Sequence, residues 1–218
     1  MIINLNSEIK AVCFDLDGTL VEECYPNAQI DRRYLAGNFI LNLLSNMIQA
    51  NGYERAEELL LEYLDINIYW DYSDIIKHFK LDEKLALLWL RLWHKKNLIV
   101  MQRNVDLAYE LHQAGYGIYV ISNNPHLGCL LKMERAGLAG ETGKGIVEGV
   151  FGSNFGLGQK MQRSFWTRVL DDIPCAPHRL AMVGDNPLED AEVPMSVGVG
   201  QCFLVKADGC LTEVGQPV

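Results

Sequence analysis

Short apolar runs, each bounded by Gly, Ser, Asn or Asp, punctuate this chain. They are residues 9–14 (Ile-Lys-Ala-Val-Cys-Phe), Gly117–Ile121, Val147–Phe151, Leu180–Val183 and Cys202–Val205. Continuous apolar runs of this length predict strands buried on both faces, as in a parallel sheet. Helical patterns lie between them. Val105–Gln113 precedes the second run, Leu127–Ala136 follows it and stops at Gly137, and Ser164–Leu170 precedes the fourth. Strand alternating with helix predicts an α/β sheet.

Residues 27–97 carry a different period. Leu35, Phe39, Leu43 and Met47 fall on one helical line, with Ile40, Leu44 and Ile48 beside it. Further helices fit Glu54–Leu64, Ser73–Phe79 and Asp82–Lys95, with breaks at Gly52 and around Asn67–Ser73. No strand pattern occurs there. The segment reads as an all-helical insertion entering just after the first strand and its turn, with Leu85, Trp89, Leu92 and Trp93 expected in its core. The resulting division is a core of residues 1–20 and 100–218 and a helical unit of residues 21–99.

Composition narrows the setting. The chain has 218 residues, 49% of them hydrophobic, enough to bury a sizeable core. A formal net charge of -9 argues against a broad basic face for nucleic acid or an anionic membrane. The six cysteines (Cys13, Cys24, Cys129, Cys175, Cys202, Cys210) form no C-x-x-C pair, and no Cys/His spacing suits zinc. Met1–Lys10 lacks the basic start and apolar block of a secretory leader. The richest apolar run, Leu85–Trp93, is broken by Arg91 and is too short to span a bilayer. A cytoplasmic protein, monomeric or homodimeric, is expected.

Ligands of open α/β sheets bind beyond the carboxyl ends of the strands. After the first strand comes Asp15-Leu16-Asp17-Gly18-Thr19, after the second Ser122-Asn123-Asn124, and after the fourth Gly184-Asp185-Asn186, with Glu189 and Asp190 downstream. Bringing Asp15, Asp17 and Asp185 together is costly. Two like charges ~4 Å apart repel by about 4 kcal/mol at an effective dielectric of 20. A hard divalent cation with oxygen ligands, magnesium above others, answers that repulsion, and a nearby lysine helps.

Asp15-Leu16-Asp17-Gly18-Thr19-Leu20 resembles the D-x-D-G-T-L signature of the haloacid dehalogenase superfamily. Ser122-Asn123 resembles its second motif, Lys160 its third, and Gly184-Asp185 with Asp190 its fourth. Phe165-Trp166 stand where an aromatic follows that lysine. Met161 and Asn186 depart from the proline and serine frequent at those places. The resemblance implies a doubly wound, Rossmann-like parallel sheet with an inserted all-α cap. It further implies that Asp15 attacks phosphorus and that Asp17 protonates the leaving group and then activates water. Ser122 and Asn123 would bind phosphoryl oxygens, with Thr19 on phosphate or holding the turn, and Lys160 would neutralise them. Asp15, the Asp17 carbonyl and Asp185 would hold Mg2+, with Asp190 behind them. The implied reaction is magnesium-dependent hydrolysis of a small phosphorylated metabolite.

Alternatives stay open at this point: a phosphomutase, a phosphonate hydrolase using a Schiff-base lysine such as Lys95 or Lys96, or a non-catalytic binding protein on the same fold. Asn124 reads as the N-cap of the helix that follows or as a phosphate-facing group, with the cap role favoured. His94 and His112 read as ordinary helix residues and His126 as a neighbour of the second motif. Glu22, Glu23, Cys24 and Tyr25 read as a lid segment.

Overall fold

The computed structural model describes residues 3–24, 39–139, 145–156, 158–206 and 210–214. Leu35 of the first helical line and Tyr25 of the lid segment lie outside them. A six-stranded sheet contains β1 (Ala11–Phe14), β4 (Gly117–Ile121), β5 (Val147–Phe151), β6 (Leu180–Gly184), β7 (Gln201–Val205) and β8 (Leu211–Val214). Its order is β5-β4-β1-β6-β7-β8, all parallel except β8, which pairs antiparallel with β7. After β1 the chain adds strands on one side, then crosses to the other. Phe14 is therefore level with both Val120 and Val183. The carboxyl ends of β1, β4 and β6 lie side by side, where such a sheet opens a crevice.

Both faces are buried at the central strands β1, β4 and β6, which explains why these read as continuous apolar runs. Val12 and Phe14 enter one cluster with Ile118 and Val120, and Ala11 and Cys13 enter the opposite one with Tyr119 and Ile121. This is the period of two of a pleated strand, hidden because both sides are apolar. Helix α5 (Gln102–Gln113) contributes Val105, Leu107, Ala108 and Leu111 to the first cluster. Helix α8 (Arg163–Asp172) contributes Phe165, Trp166 and Val169 to the second.

Helices α1 (Phe39–Ala50), α2 (Ala56–Ile66), α3 (Tyr72–His78) and α4 (Glu83–Asn97) form the insertion and build a third cluster around Leu44, Ile48, Leu60, Ile75 and Leu90. Two strands that no periodicity announced bracket it. β2 (Val21–Glu23) pairs antiparallel with β3 (Leu98–Val100), Val21 opposite Val100 and Glu23 opposite Leu98. Three residues are too few to show an alternation.

The expected core role of Leu85, Trp89 and Leu92 is corrected. They are 51%, 48% and 46% exposed. Helix α4 turns Ala86, Leu90 and His94 inward instead, a line at i, i+4 and i+8, with Trp93 partly buried against the cluster.

The insertion meets the sheet domain along α6 (His126–Ala136). Leu131 of α6 belongs to the insertion's cluster, while Cys129, Met133 and Ala136 belong to the sheet's. Asp71 caps α3, and its carboxylate also accepts from the Leu127 backbone N–H at 3.0 Å and from Asn154 Nδ2 at 3.2 Å. Arg91 of α4 pairs with Glu134 at 2.9 Å. The shorter helices α7 (Ser153–Gly156) and α9 (Val193–Ser196) lie nearer the carboxyl end of the chain. Among the described residues no helix is long and apolar enough to cross a membrane.

Candidate active site

Asp15 is the first residue past β1. Its backbone N–H donates to Val183 of the neighbouring strand, so the sheet ladder fixes where the carboxylate starts. The chain then turns sharply, with the amides of Leu20 and Val21 both donating to Leu16. Gly18 adopts a left-handed φ of 76°, and a Cβ there would overlap the Asp185 carboxylate. Glycine is required twice over, by dihedral and by space.

Asp15, Asp185 and Asp190 each bring a carboxylate oxygen to within 4.8 Å of the others. Lys160 enters this group from the loop before α8, almost fully buried. Its Nζ donates to Asp15 Oδ1 at 2.5 Å and to Asp190 Oδ1 at 2.7 Å. Two contacts hold the loop: Trp166 Nε1 donates to the Lys160 carbonyl at 2.8 Å, and the Lys160 N–H donates to Asn123 Oδ1 at 2.8 Å. The aromatic after the lysine is therefore a brace for its backbone.

Asp190 is fully buried on a π-helical turn, Leu188–Glu192. Its Oδ2 accepts from the amides of Asp185 and Asn186 at 3.1 and 3.0 Å. A Cβ on Gly184 would overlap that carboxylate. Asp190 thus has its oxygens engaged by Lys160 and by backbone, while the Asp185 carboxylate is exposed and lies close to that of Asp15. Hard oxygen donors without His or Cys are the donor set of a magnesium-type cation. The residues fit such an ion, with Asp15 and Asp185 able to hold it directly and Asp190 fixing the loop behind.

Burial pushes the Asp15 carboxyl up to about 7, against the pull of the Lys160 ammonium. Burial also opposes the charge on Lys160, but Asp15 and Asp190 outweigh it and hold that ammonium above the ordinary lysine value. Asp185 is raised too, first by partial desolvation and then by Asp190.

The Asp17 side chain stands in a different cluster. Its oxygens accept from Lys132 Nζ at 2.6 and 2.8 Å, and Oδ2 also accepts from Asn124 Nδ2 at 2.5 Å. Asn124 is not the helix cap. Pro125 occupies that position, and Asn124 turns its side chain to Asp17 and to Ser122 Oγ at 2.8 Å. Proline has no side-chain acceptor to offer, and the first amides of α6 donate instead to groups from elsewhere, His126 N–H to Asn154 Oδ1 at 2.9 Å and Leu127 N–H to the Asp71 carboxylate at 3.0 Å, which leaves the asparagine to the site. Ser122 is buried at the end of β4. Asn123 donates to Glu189 at 2.8 Å. Thr19 belongs to the turn after β1. It is fully buried, its carbonyl accepts from Asn104 at 2.7 Å, and its hydroxyl has no hydrogen-bond partner among the described residues.

Lys132 was missed as a site residue at the sequence level, and Glu23, read there as part of a lid segment, is one of its partners at 2.9 Å. Lys132 lies mid-helix among apolar neighbours, and that single lysine on an otherwise apolar face was the available signal. Above Asp17 opens a cavity of about 540 Å³ between the sheet domain and the insertion. Its lining includes Asp17, Asn123 and Asn124 from below and Tyr69, Trp70 and Tyr72 from the insertion. Lys95 lines a separate pocket with Leu88 and Arg91.

A family model for haloacid dehalogenase-like hydrolases matches residues 9–194. The fold is similar to a HAD phosphatase from Thermococcus onnurineus (21% identity, TM-score 0.54, 88% of this chain and 84% of that one). It is also similar to a HAD family enzyme from Bacteroides thetaiotaomicron (16% identity, TM-score 0.57, 91% and 94%), which has also been seen as a magnesium complex (15% identity, TM-score 0.53, 88% and 91%). No curated protein matches the sequence significantly. A family model spanning most of the chain, on a parallel sheet that gathers Asp15, Lys160, Asp185 and Asp190 at one end, places this protein among the haloacid dehalogenase-like hydrolases.

Proposed function

We propose that this chain is a magnesium-dependent phosphatase that hydrolyses a small phosphate monoester through an aspartyl-phosphate on Asp15. The observation that carries the reading is the placement of two carboxylates on opposite duties. Asp15 sits in the acidic, lysine-paired cluster, while Asp17 faces the cavity through a separate set of partners. Asp15 attacks phosphorus, forming the acyl phosphate as the ester oxygen leaves. Asp17 gives that oxygen a proton and later takes one from the water that cleaves the intermediate. Ser122 and Lys160 meet the phosphoryl oxygens with a hydroxyl and a positive charge. Asn123 chiefly fixes the backbone of Lys160 and the position of Glu189. A bound magnesium ion would supply charge neutralisation between Asp15, Asp185 and the phosphoryl group.

Asp17 favours phosphoryl chemistry over halide displacement, because departing halide needs no acid. The phosphonate alternative loses support, since Lys95 lines a different pocket from Asp17 and Lys96 is not among the residues lining the cavity at Asp17. The insertion acts as a cap over the cavity, excluding water and choosing the leaving group through residues such as Trp70. Six cysteines that form no C-x-x-C pair, with Cys13, Cys129 and Cys202 buried, fit a reducing compartment such as the cytoplasm. The test is turnover of 4-nitrophenyl phosphate and a panel of phosphorylated metabolites with magnesium. Asp15→Asn and excess EDTA should each abolish activity with the fold retained; full activity in either case would refute the reading.

A further inference from the structure

Lys132 is 2% exposed in the middle of α6, and a lysine is rarely buried so far unless it is paired. Its Nζ reaches both oxygens of Asp17, Glu23 Oε1 at 2.9 Å and Asn124 Oδ1 at 3.1 Å. An ammonium has three protons, so these acceptors saturate it and leave no lone pair for covalent chemistry. Asn124 completes the arrangement by donating to Asp17 from the same segment. Both oxygens of Asp17 are thus gripped by side chains that follow β4, while the Asp17 backbone follows β1. Glu23, the remaining partner, belongs to β2, the strand that leads into the helical insertion. One ammonium therefore touches the proton-transfer carboxylate, the strand into the cap and the loop after β4.

We propose that Lys132 is a positioning residue, whose ammonium aims the Asp17 carboxylate at the cavity and couples it through Glu23 to the ribbon that enters the cap. The proposal rests on reading Asp17 as the acid and base of a phosphatase. A carboxylate on a turn has free χ rotations, and proton transfer needs it within hydrogen-bond reach of the departing oxygen. Lys132 and Asn124 remove that freedom before substrate binds. Glu23 joins the carboxylate to the element that must shift when the cap moves.

The experiment is a leaving-group series: substituted phenyl phosphates from 4-nitro to 4-methoxy, with kcat/KM measured for wild type, Lys132→Met, Glu23→Gln and Asp17→Asn. kcat/KM reports steps up to departure of the phenol, so hydrolysis of the intermediate does not enter. A poor leaving group needs the acid and 4-nitrophenol hardly does. Lys132→Met should lose on the order of 10²-fold on the 4-methoxy compound and only a few-fold on the 4-nitro compound, steepening the dependence on phenol pKa towards that of Asp17→Asn. Glu23→Gln should steepen it less. A merely structural lysine would lower every substrate by the same factor, and parallel lines, or no loss at all, would overturn the proposal. Should Lys132→Met fail to fold, Glu23→Gln decides, since an unchanged slope in that variant removes the coupling. Wild-type turnover in Asp15→Asn would instead bring down the phosphatase reading and this role with it. An inactive Asp15→Asn beside parallel Lys132→Met lines would remove the role of Lys132 alone.

Discussion

A Cβ on Gly18 would overlap Asp185 Oδ2, so that the turn after β1 and the loop after β6 meet at a point where no side chain fits. Gly18→Ala would strain a left-handed residue and push Asp185 away from Asp15. We expect a stability loss of about 1–2 kcal/mol and a much larger loss of magnesium affinity. Calorimetric magnesium titration beside a thermal melt separates the two. Unchanged magnesium affinity would show that Asp185 can move aside at no cost to the ion.

Lys160 is buried between Asp15 and Asp190, and it is the only described cation that touches either of them. Lys160→Met would leave two carboxylates close together without a counter-charge. Removing one partner of such a buried set costs about 3–5 kcal/mol. Urea denaturation should therefore show a large drop without magnesium, partly restored by the ion, together with loss of turnover. A variant as stable as wild type in EDTA would mean that the two acids already shed their charge by protonation.

Much of this was legible in the residues. The central strands announced themselves because both faces of the sheet are covered there, and Asp15 and Asp185 followed from the ends of those strands, whereas Lys160 rested on the resemblance to the family's third motif. The ribbon of β2 and β3 was not legible, being three residues on each side. The orientation of α4 was misread because its sequence offers two apolar lines, and packing chose Ala86-Leu90-His94 over Leu85-Trp89-Leu92. Lys132 escaped because its significance is purely spatial, and Asn124 was read as a helix cap before a site residue because only packing turns its side chain to Asp17. Lysine 132 and Asp17 are 115 residues apart, and no local pattern pairs them.

His94 is buried in the insertion, its Nδ1 2.7 Å from the Leu90 carbonyl and its Nε2 without a hydrogen-bond partner among the described residues. Desolvation pushes the imidazole from the usual 6.5 down to about 4. The folded protein therefore keeps it neutral while the unfolded chain takes up a proton below about pH 6.5. Protonation favours unfolding, so stability is lost as pH falls from about 6.5 towards 4. At pH 5 that loss is roughly 2 kcal/mol. Denaturant midpoints at pH 7.5 and pH 5 should draw closer together in His94→Leu than in wild type. An identical pH dependence in both proteins would remove His94 from the acid response.

Asp71 joins the helical insertion to the sheet domain with one carboxylate. It caps α3 through the Ser73 amide at 3.3 Å and accepts from Leu127 at the start of α6 and from Asn154. Losing the cap alone costs ~1 kcal/mol. Asp71→Ala also strips an acceptor from two partly buried donors of the sheet domain, the Leu127 amide and Asn154 Nδ2, and each orphaned group adds about 1–3 kcal/mol. The loss should fall unevenly, because the insertion keeps its own apolar cluster and the sheet keeps both of its own. Hydrogen exchange should therefore rise first in α3 and at the amide of Leu127, with the strands still protected. Arg91 and Glu134 provide a second tie between α4 and α6, more exposed and so weaker. Arg91→Ala should loosen the insertion less than Asp71→Ala. If Arg91→Ala proves the more damaging of the two, the attachment of the insertion depends on its outer ion pair and not on the buried carboxylate.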